Sequence, residues 1–215
     1  MLSILKKDFL SWEKKQLLKG GDKKSLYLLL EAKAGITIEN INLARINPSG
    51  NLFLEENLDV VESIWDNHLN NGAPIQYLCG FTYWRNLKLK VSEQVLIPRS
   101  ETELIVDVIQ NKFLSKEKLV FADLGTGSGA IGISLALANP KWEGYATDID
   151  KNALDIASKN FFNFSDKANL KFLNGHWWNP LKDLKGKLDF VISNPPYIPL
   201  KTYQELPNEV KNFEP

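Results

Sequence analysis

The chain has 215 residues, and its 26 Lys plus Arg are matched by 26 Asp plus Glu. That parity offers no overall basic field to recruit nucleic acid or an anionic membrane surface. A lone cysteine, Cys79, excludes an intramolecular disulfide and suits the cytoplasm; two isolated histidines, His68 and His176, are too few for a metal site; and no apolar run reaches membrane-spanning length.

Residues 1–75 read as a small all-helical domain. Leu2, Leu5, Phe9, Trp12 and Leu17 recur at helical spacing until Gly20-Gly21 ends the run. Ser25 to Lys33 and Glu55 to Asn70 predict two further helices, with Asn47-Pro48-Ser49-Gly50 as a turn between them. The leucine and aromatic stripe is core rather than a cofactor box. Early Lys6, Lys7 and Asp8 leave no signal-peptide core.

Residues 76–97 are expected to form a β-hairpin linker, because Phe81 to Leu96 alternates in strand fashion. Residues 98–215 then read as a second, larger domain. Ser100 and Glu103 have capping-box spacing and predict a helix carrying Leu104, Ile105, Val108, Ile109 and Phe113 on one face. Glu101 and Glu103 are read as first-turn carboxylates on the helix dipole, not as acid/base groups.

Lys118 to Ala122 is strand-like and runs into Asp123-Leu124-Gly125-Thr126-Gly127-Ser128-Gly129, followed by the apolar helical run from Ala130 to Ala138. Strand, glycine-rich turn and helix form the nucleotide-binding entry of a doubly wound α/β fold, where backbone N–H groups meet an anionic ligand group. Gly127, Gly129 and Gly132 also satisfy the dinucleotide fingerprint, which alone is weak. The register Gly125-x-Gly127-x-Gly129 with Asp123 at the strand end suits a ligand with an amino acid moiety: N–H groups for its carboxylate, Asp123 near its ammonium. S-adenosyl-L-methionine carries both.

A second strand ends in Asp148, where such folds bind ribose hydroxyls, and Asp150 is placed to cap the helix from Lys151 to Phe162. A third strand, Leu170 to Leu173, leads to His176-Trp177-Trp178. An indole there could stack on adenine, although paired tryptophans are commonly core. The Lys182 to Lys187 stretch reads as a solvated loop.

After the apolar Phe190-Val191-Ile192 comes Asn194-Pro195-Pro196-Tyr197. Asn194 offers a carbonyl acceptor, the prolines remove competing N–H donors, and Tyr197 adds a flat face. Such a loop is suited to a planar NH2 group, although Asn-Pro-Pro is also a turn signal after a strand.

With the glycine loop and Asn194 to Tyr197, the segments Pro74 to Gly80 and Val95-Leu96-Ile97-Pro98-Arg99-Ser100-Glu101-Thr102-Glu103 make the chain resemble the HemK/PrmC family. These are S-adenosylmethionine-dependent methyltransferases that act on the N5 amide nitrogen of a glutamine in class-1 peptide chain release factors. The resemblance implies that Asp123, Gly125, Thr126, Gly127, Ser128, Gly129, Asp148, Trp177 and Asn194 line the cofactor site. Asn194 and Pro195 would be catalytic, and Asn194 to Tyr197 would hold the glutamine. The helical domain would grip the protein substrate. His176 and Trp84-Arg85-Asn86 depart from the family pattern.

The implied fold is a Rossmann-like α/β domain with about four of the usual seven strands: Lys118 to Leu124, Gly144 to Asp148, Leu170 to Asn174 and Leu188 to Ser193. By the same resemblance the chain ends before the later strands, and the last of these four has an unpaired edge. Two other readings stand beside glutamine methylation: an N6-adenine or other exocyclic-amine methyltransferase, and an inactive remnant that only binds. Partners expected are release factors, with no membrane and no direct nucleic acid.

Overall fold

The computed structural model describes residues 2–164, 168–195 and Phe213. Two compact units are distinguished, the first reaching Gly80 and the second opening at Phe81.

The first unit is mainly helical: α1 (Lys6–Leu18), α2 (Lys23–Leu29) continued by a wider turn at Leu30–Ala34, α3 (Ile38–Ile46), α4 (Leu58–Asn71) and α5 (Ile75–Cys79). It is not all-helical. Leu2–Leu5 forms a strand, β1, paired antiparallel with β2 (Asn51–Leu54), so Leu2 and Leu5 leave the helix that their spacing suggested. Strand period wins because Leu52 and Leu54 are buried while Asn51 and Phe53 stay outside. Helix α3 was not predicted either. It starts at a capping box in which the N3 partner of Thr37 is Asn40, not the usual Glu or Gln, so the sequence signature is hidden. The core gathers Phe9, Leu26, Leu29, Leu30, Ile41 and Trp65. Glu62 of α4 joins Lys15 and the Trp12 indole of α1 and Lys19 just beyond it, and the Lys19 ammonium holds its carboxyl down at about 2.

The second unit begins with a hairpin, β3 (Phe81–Trp84) and β4 (Leu87–Lys90), shorter than the alternation to Leu96 implied. The expected linker opening at residue 76 is instead the helix α5. The hairpin is no free bridge: Trp84, Leu87 and Leu89 enter the core of this unit. The Trp84 indole donates to Arg99 O at 2.9 Å. Arg85, held at φ +52 in the turn, contacts the helix α6 (Glu103–Lys112) through Glu103 O and Asp107.

The predicted capping box at Ser100 is not formed. Ser100–Thr102 makes a single tight turn ahead of α6, and Glu103 accepts from the Arg85 backbone N–H. With the helix starting later, Ile105, Val106, Ile109 and Phe113 face the core, while Leu104 (65 % exposed) and Val108 (55 %) face outward.

Four parallel strands form the sheet: β5 (Val120–Leu124), β6 (Glu143–Asp148), β7 (Asn169–Asn174) and β8 (Phe190–Ser193), in the order β7-β6-β5-β8. The crossovers α7 (Ala130–Ala138) and α8 (Lys151–Phe162) both step outward from β5 in the same direction. Right-handed connections then put both helices on one face. There they pack with α6 over Phe121, Ala146, Leu170 and Ile192. The connection to β8 steps the other way, and its short turn at Asn179–Leu184 lies on the opposite face, over Ala122 and Leu124. The strand order therefore reverses between β5 and β8. This is the Rossmann-like arrangement expected from the sequence, and a reversal of this kind is where open α/β sheets bind ligands, outside the carboxyl ends of the strands.

Phe121, Trp142 and Phe190 interlock at the other end of the sheet, with the Phe121 and Phe190 rings stacked at 5.5 Å. Replacing fully buried Phe121 by Ala removes the shared ring, and unfolding in urea followed by tryptophan fluorescence should show a loss of about 3–5 kcal/mol.

Candidate functional site

The switch point brings together two segments far apart in sequence. β5 and β8 run in register with Leu124 opposite Ser193, and the Ser193 hydroxyl donates to Leu124 O at 2.9 Å. Gly125 and Asn194, the next residues of each chain segment, therefore leave the sheet side by side.

The glycine loop then crosses toward β6, where Gly125 N and Thr126 N both donate to Thr147 O at 2.9 Å. Its shape needs glycine at several points. Gly125, Gly127 and Gly129 have φ of +69°, +54° and +85°, and a Cβ on Gly129 would lie 2.6 Å from Ile133 Cδ1. Beyond Gly125 and Gly127 a Cβ would meet nothing within 4 Å, so this side of the backbone is open to a ligand.

Asp123 lies under the loop and is only 1 % exposed. Its Oδ2 accepts from the Thr126 hydroxyl at 2.7 Å and from Gly132 N, in the first turn of α7, at 3.0 Å. Gly132 is glycine for this contact, since a Cβ would sit 3.0 Å from the same oxygen. The third glycine of the apparent dinucleotide fingerprint thus serves helix packing. Asp123 was expected beside a ligand ammonium; in the fold its Oδ2 already caps α7. Burial pushes its carboxyl up to about 6, with the Asp148 charge adding to the rise and the Thr126 and Gly132 bonds opposing it. Among the described residues no cation reaches it.

Asp148 ends β6 and is oriented from both sides: Oδ2 accepts from Gly127 N and Oδ1 from Asp150 N, each at 3.0 Å. Asp150 caps α8 by accepting from Asn152 N at 2.8 Å. After β7, Gly175 N and the Asn174 amide both donate to Asp148 O, which ties the tryptophan loop to the same point. Trp177 has φ +48° and is 45 % exposed. Backbone in this region costs about 1–3 kcal/mol for a bulky residue; Trp178 is exposed as well, so the pair is not core. An indole is held out under strain instead.

Asn194 follows β8 at the switch point, and its Nδ2 donates to Thr102 Oγ1 at 3.4 Å. Thr102 belongs to the turn before α6, a role not foreseen from the sequence. With Nδ2 toward Thr102, Oδ1 has no donor among the described residues. Pro195 is described and half-buried, whereas Pro196 and Tyr197 lie outside the described residues. Among the described residues no cluster of His, Cys, Asp and Glu could hold a metal, and no helix is long and apolar enough to cross a membrane.

A release factor glutamine methyltransferase from Prochlorococcus marinus is 39 % identical over 211 residues, covering 97 % of this chain and 72 % of that relative. The chain belongs to the release factor glutamine methyltransferase family. A second member, from Synechocystis, is 41 % identical over 168 residues, covering 75 % of this chain and 56 % of its own length. The chain thus spans between about half and three quarters of the curated relatives it matches. A family model described as the methyltransferase small domain matches residues 100–206. Among solved structures, a putative RNA methyltransferase from Pyrococcus horikoshii aligns with a TM-score of 0.38 at 27 % identity, over 49 % of each chain.

The raised carboxyl of Asp123 gives the ligand-free protein a pH signature. Between the unfolded value of about 4 and the folded value of about 6, the native state keeps a proton that the unfolded state has lost. Stability from this group is complete below about pH 4 and is lost as pH rises through about 6. Thermal unfolding midpoints from pH 4 to 7 should fall more steeply for the native sequence than for Asp123→Asn, which cannot titrate.

Proposed function

We propose that this chain transfers a methyl group from S-adenosylmethionine to the N5 amide nitrogen of a glutamine in a class-1 peptide chain release factor. The observation that carries the reading is the juxtaposition, across β5 and β8, of the open glycine loop with the carboxamide of Asn194.

The residues suit this cofactor. The open side of Gly125 and Gly127 admits a ligand carboxylate to the amino end of α7. The buried Asp123 carboxyl, without a cation among the described residues, supplies negative potential beneath an ammonium. Asp148 keeps an unused lone pair on each oxygen for ribose hydroxyls. Trp177 presents an exposed indole for adenine. Thr126 and Ser128 complete the loop, with the Thr126 hydroxyl joined to Asp123. When bound, the cofactor supplies an electrophilic methyl on a positively charged sulfur.

The acceptor is the harder partner to activate, because an amide nitrogen shares its lone pair with its carbonyl; that resonance underlies a rotation barrier of about 18–20 kcal/mol. Asn194 Oδ1 and the Pro195 carbonyl each accept one N–H of the glutamine amide. The nitrogen lone pair then points at the methyl and its geometry is biased toward pyramidal. On taking up the methyl the nitrogen would become positive and would release one N–H proton to solvent, with Asn194 Oδ1 and the Pro195 carbonyl facing that charge. Acceptors facing that charge contribute about 1.5–3 kcal/mol each, and alignment of the two reactants roughly 7–11 kcal/mol. Positioning outweighs acid/base catalysis, which accords with only two histidines in the chain. Thr102 meets the amino end of the Asn194 carboxamide, which leaves Oδ1 for the substrate.

The same reading assigns recognition of the protein substrate to the unit ending at Gly80, with Pro196 and Tyr197 completing the glutamine pocket, and places the enzyme in the cytoplasm, where release factors act. Equal numbers of acidic and basic side chains favour a protein over a nucleic-acid substrate.

Asn194→Ala should lower methyl transfer to a purified release factor at least about a hundredfold, while the Kd for S-adenosylmethionine by calorimetry changes less than about threefold. Near-normal turnover in that variant rules out the role given to Asn194.

A further inference from the structure

Helix α8 turns an apolar face to the domain through Ala153, Leu154, Ala157 and Phe161, yet one position in that stripe is Asn160, which is 0 % exposed. Its carboxamide is fully used. Oδ1 accepts from Lys90 N at 2.7 Å, and Nδ2 donates to Lys90 O at 3.0 Å and to Ser128 O at 2.9 Å. The first two bonds mimic a strand partner for the last residue of β4. The third grips the glycine loop beside Gly129, where Ala157 Cβ also makes a close approach.

We infer that Asn160 is a positioning residue that couples the β3–β4 hairpin to the cofactor loop: one buried amide sets the backbone of Lys90 and of Ser128 together, so neither moves alone. The inference rests on the proposed use of that loop for S-adenosylmethionine. The hairpin has a second hold on the domain, since Arg85 at its tip is tied to α6 through Asp107. A hairpin fixed at the tip by a solvent-facing ion pair and at its end by Asn160 transmits any displacement of Lys90 to the loop that cradles the ligand. The geometry also dictates the residue. Asp has nearly the same shape but cannot donate, and would set a carboxylate against two carbonyl oxygens. Ala leaves both carbonyls and the Lys90 N–H without the partners that Asn160 supplies.

Hydrogen exchange and calorimetry on the 215-residue chain test this. In Asn160→Asp, without cofactor, the Lys90 and Gly129 amides should exchange at least about tenfold faster, while Leu170 in β7 keeps its native rate; a merely structural loss would speed all three. The Kd for S-adenosylmethionine should rise about ten- to hundredfold, since each lost buried partner is worth that order. Asn160→Ala should do the same more weakly. Native exchange at Gly129 in a folded Asp variant overturns the coupling. If neither variant folds, the native chain decides: saturating S-adenosylmethionine should slow exchange at Lys90, and an unchanged rate there overturns the inference. A native chain that binds no S-adenosylmethionine speaks against the cofactor assignment instead, and leaves the cofactor-free exchange result to judge Asn160.

Discussion

A carboxylate buried at the end of β5 organises the catalytic unit. Asp123 takes the Gly132 N–H of α7 and the Thr126 hydroxyl on one oxygen, and so joins strand, loop and helix at a single atom. The loop between them needs left-handed backbone at three glycines, a conformation that would drift without an anchor at each end. Asp123 is one anchor, and Asp148, bonded to Gly127 N, is the other. Burial raises the Asp123 carboxyl, and the Asp148 charge beneath the same loop adds a smaller rise. A cationic ligand counters that rise, so the architecture that shapes the loop also prepares it for positive charge.

Topology supplies the rest of the site. Because β6 and β7 are added on one side of β5 and β8 on the other, the crossovers divide between the two faces, and among the described strands the order reverses at the β5–β8 boundary. Nothing about Asn194 itself would make it a neighbour of the glycine loop. The parallel register of Leu124 with Ser193 does that, and Thr102, arriving from the turn before α6, orients the carboxamide. The Asn194 carboxamide and the glycine loop are thus both anchored at strand ends, which suits chemistry that depends on alignment.

Much of this was legible in residue order. Strand, glycine turn and apolar helix from Lys118 to Ala138 could be read because each local preference agrees with the tertiary outcome. Asp150 as a helix cap is another such case. Reading was less reliable where local signals compete. Leu2 and Leu5 fit a helical stripe, but pairing with Asn51–Leu54 made them a strand. Ser100 and Glu103 had capping-box spacing, but Arg85 claimed Glu103 and the box did not close. Trp177 and Trp178 could be read either as an adenine platform or as core, and it is their exposure in the fold that tells against core. Asn160 carried a usable signal, a lone amide in the apolar stripe of α8, whose meaning depends on two backbone segments distant in sequence.

By itself the order of residues determined the class of fold, the glycine loop with its flanking acids, and the family to which the chain belongs, because those rest on short-range backbone geometry and contiguous motifs. Tertiary structure alone decided that the Asp123 carboxyl is enclosed and raised, that Thr102 orients Asn194, and that Asn160 binds hairpin to loop. Each of these is a contact between groups separated by several elements, or a burial that depends on all of them, and no periodicity along the chain encodes which distant atoms will meet.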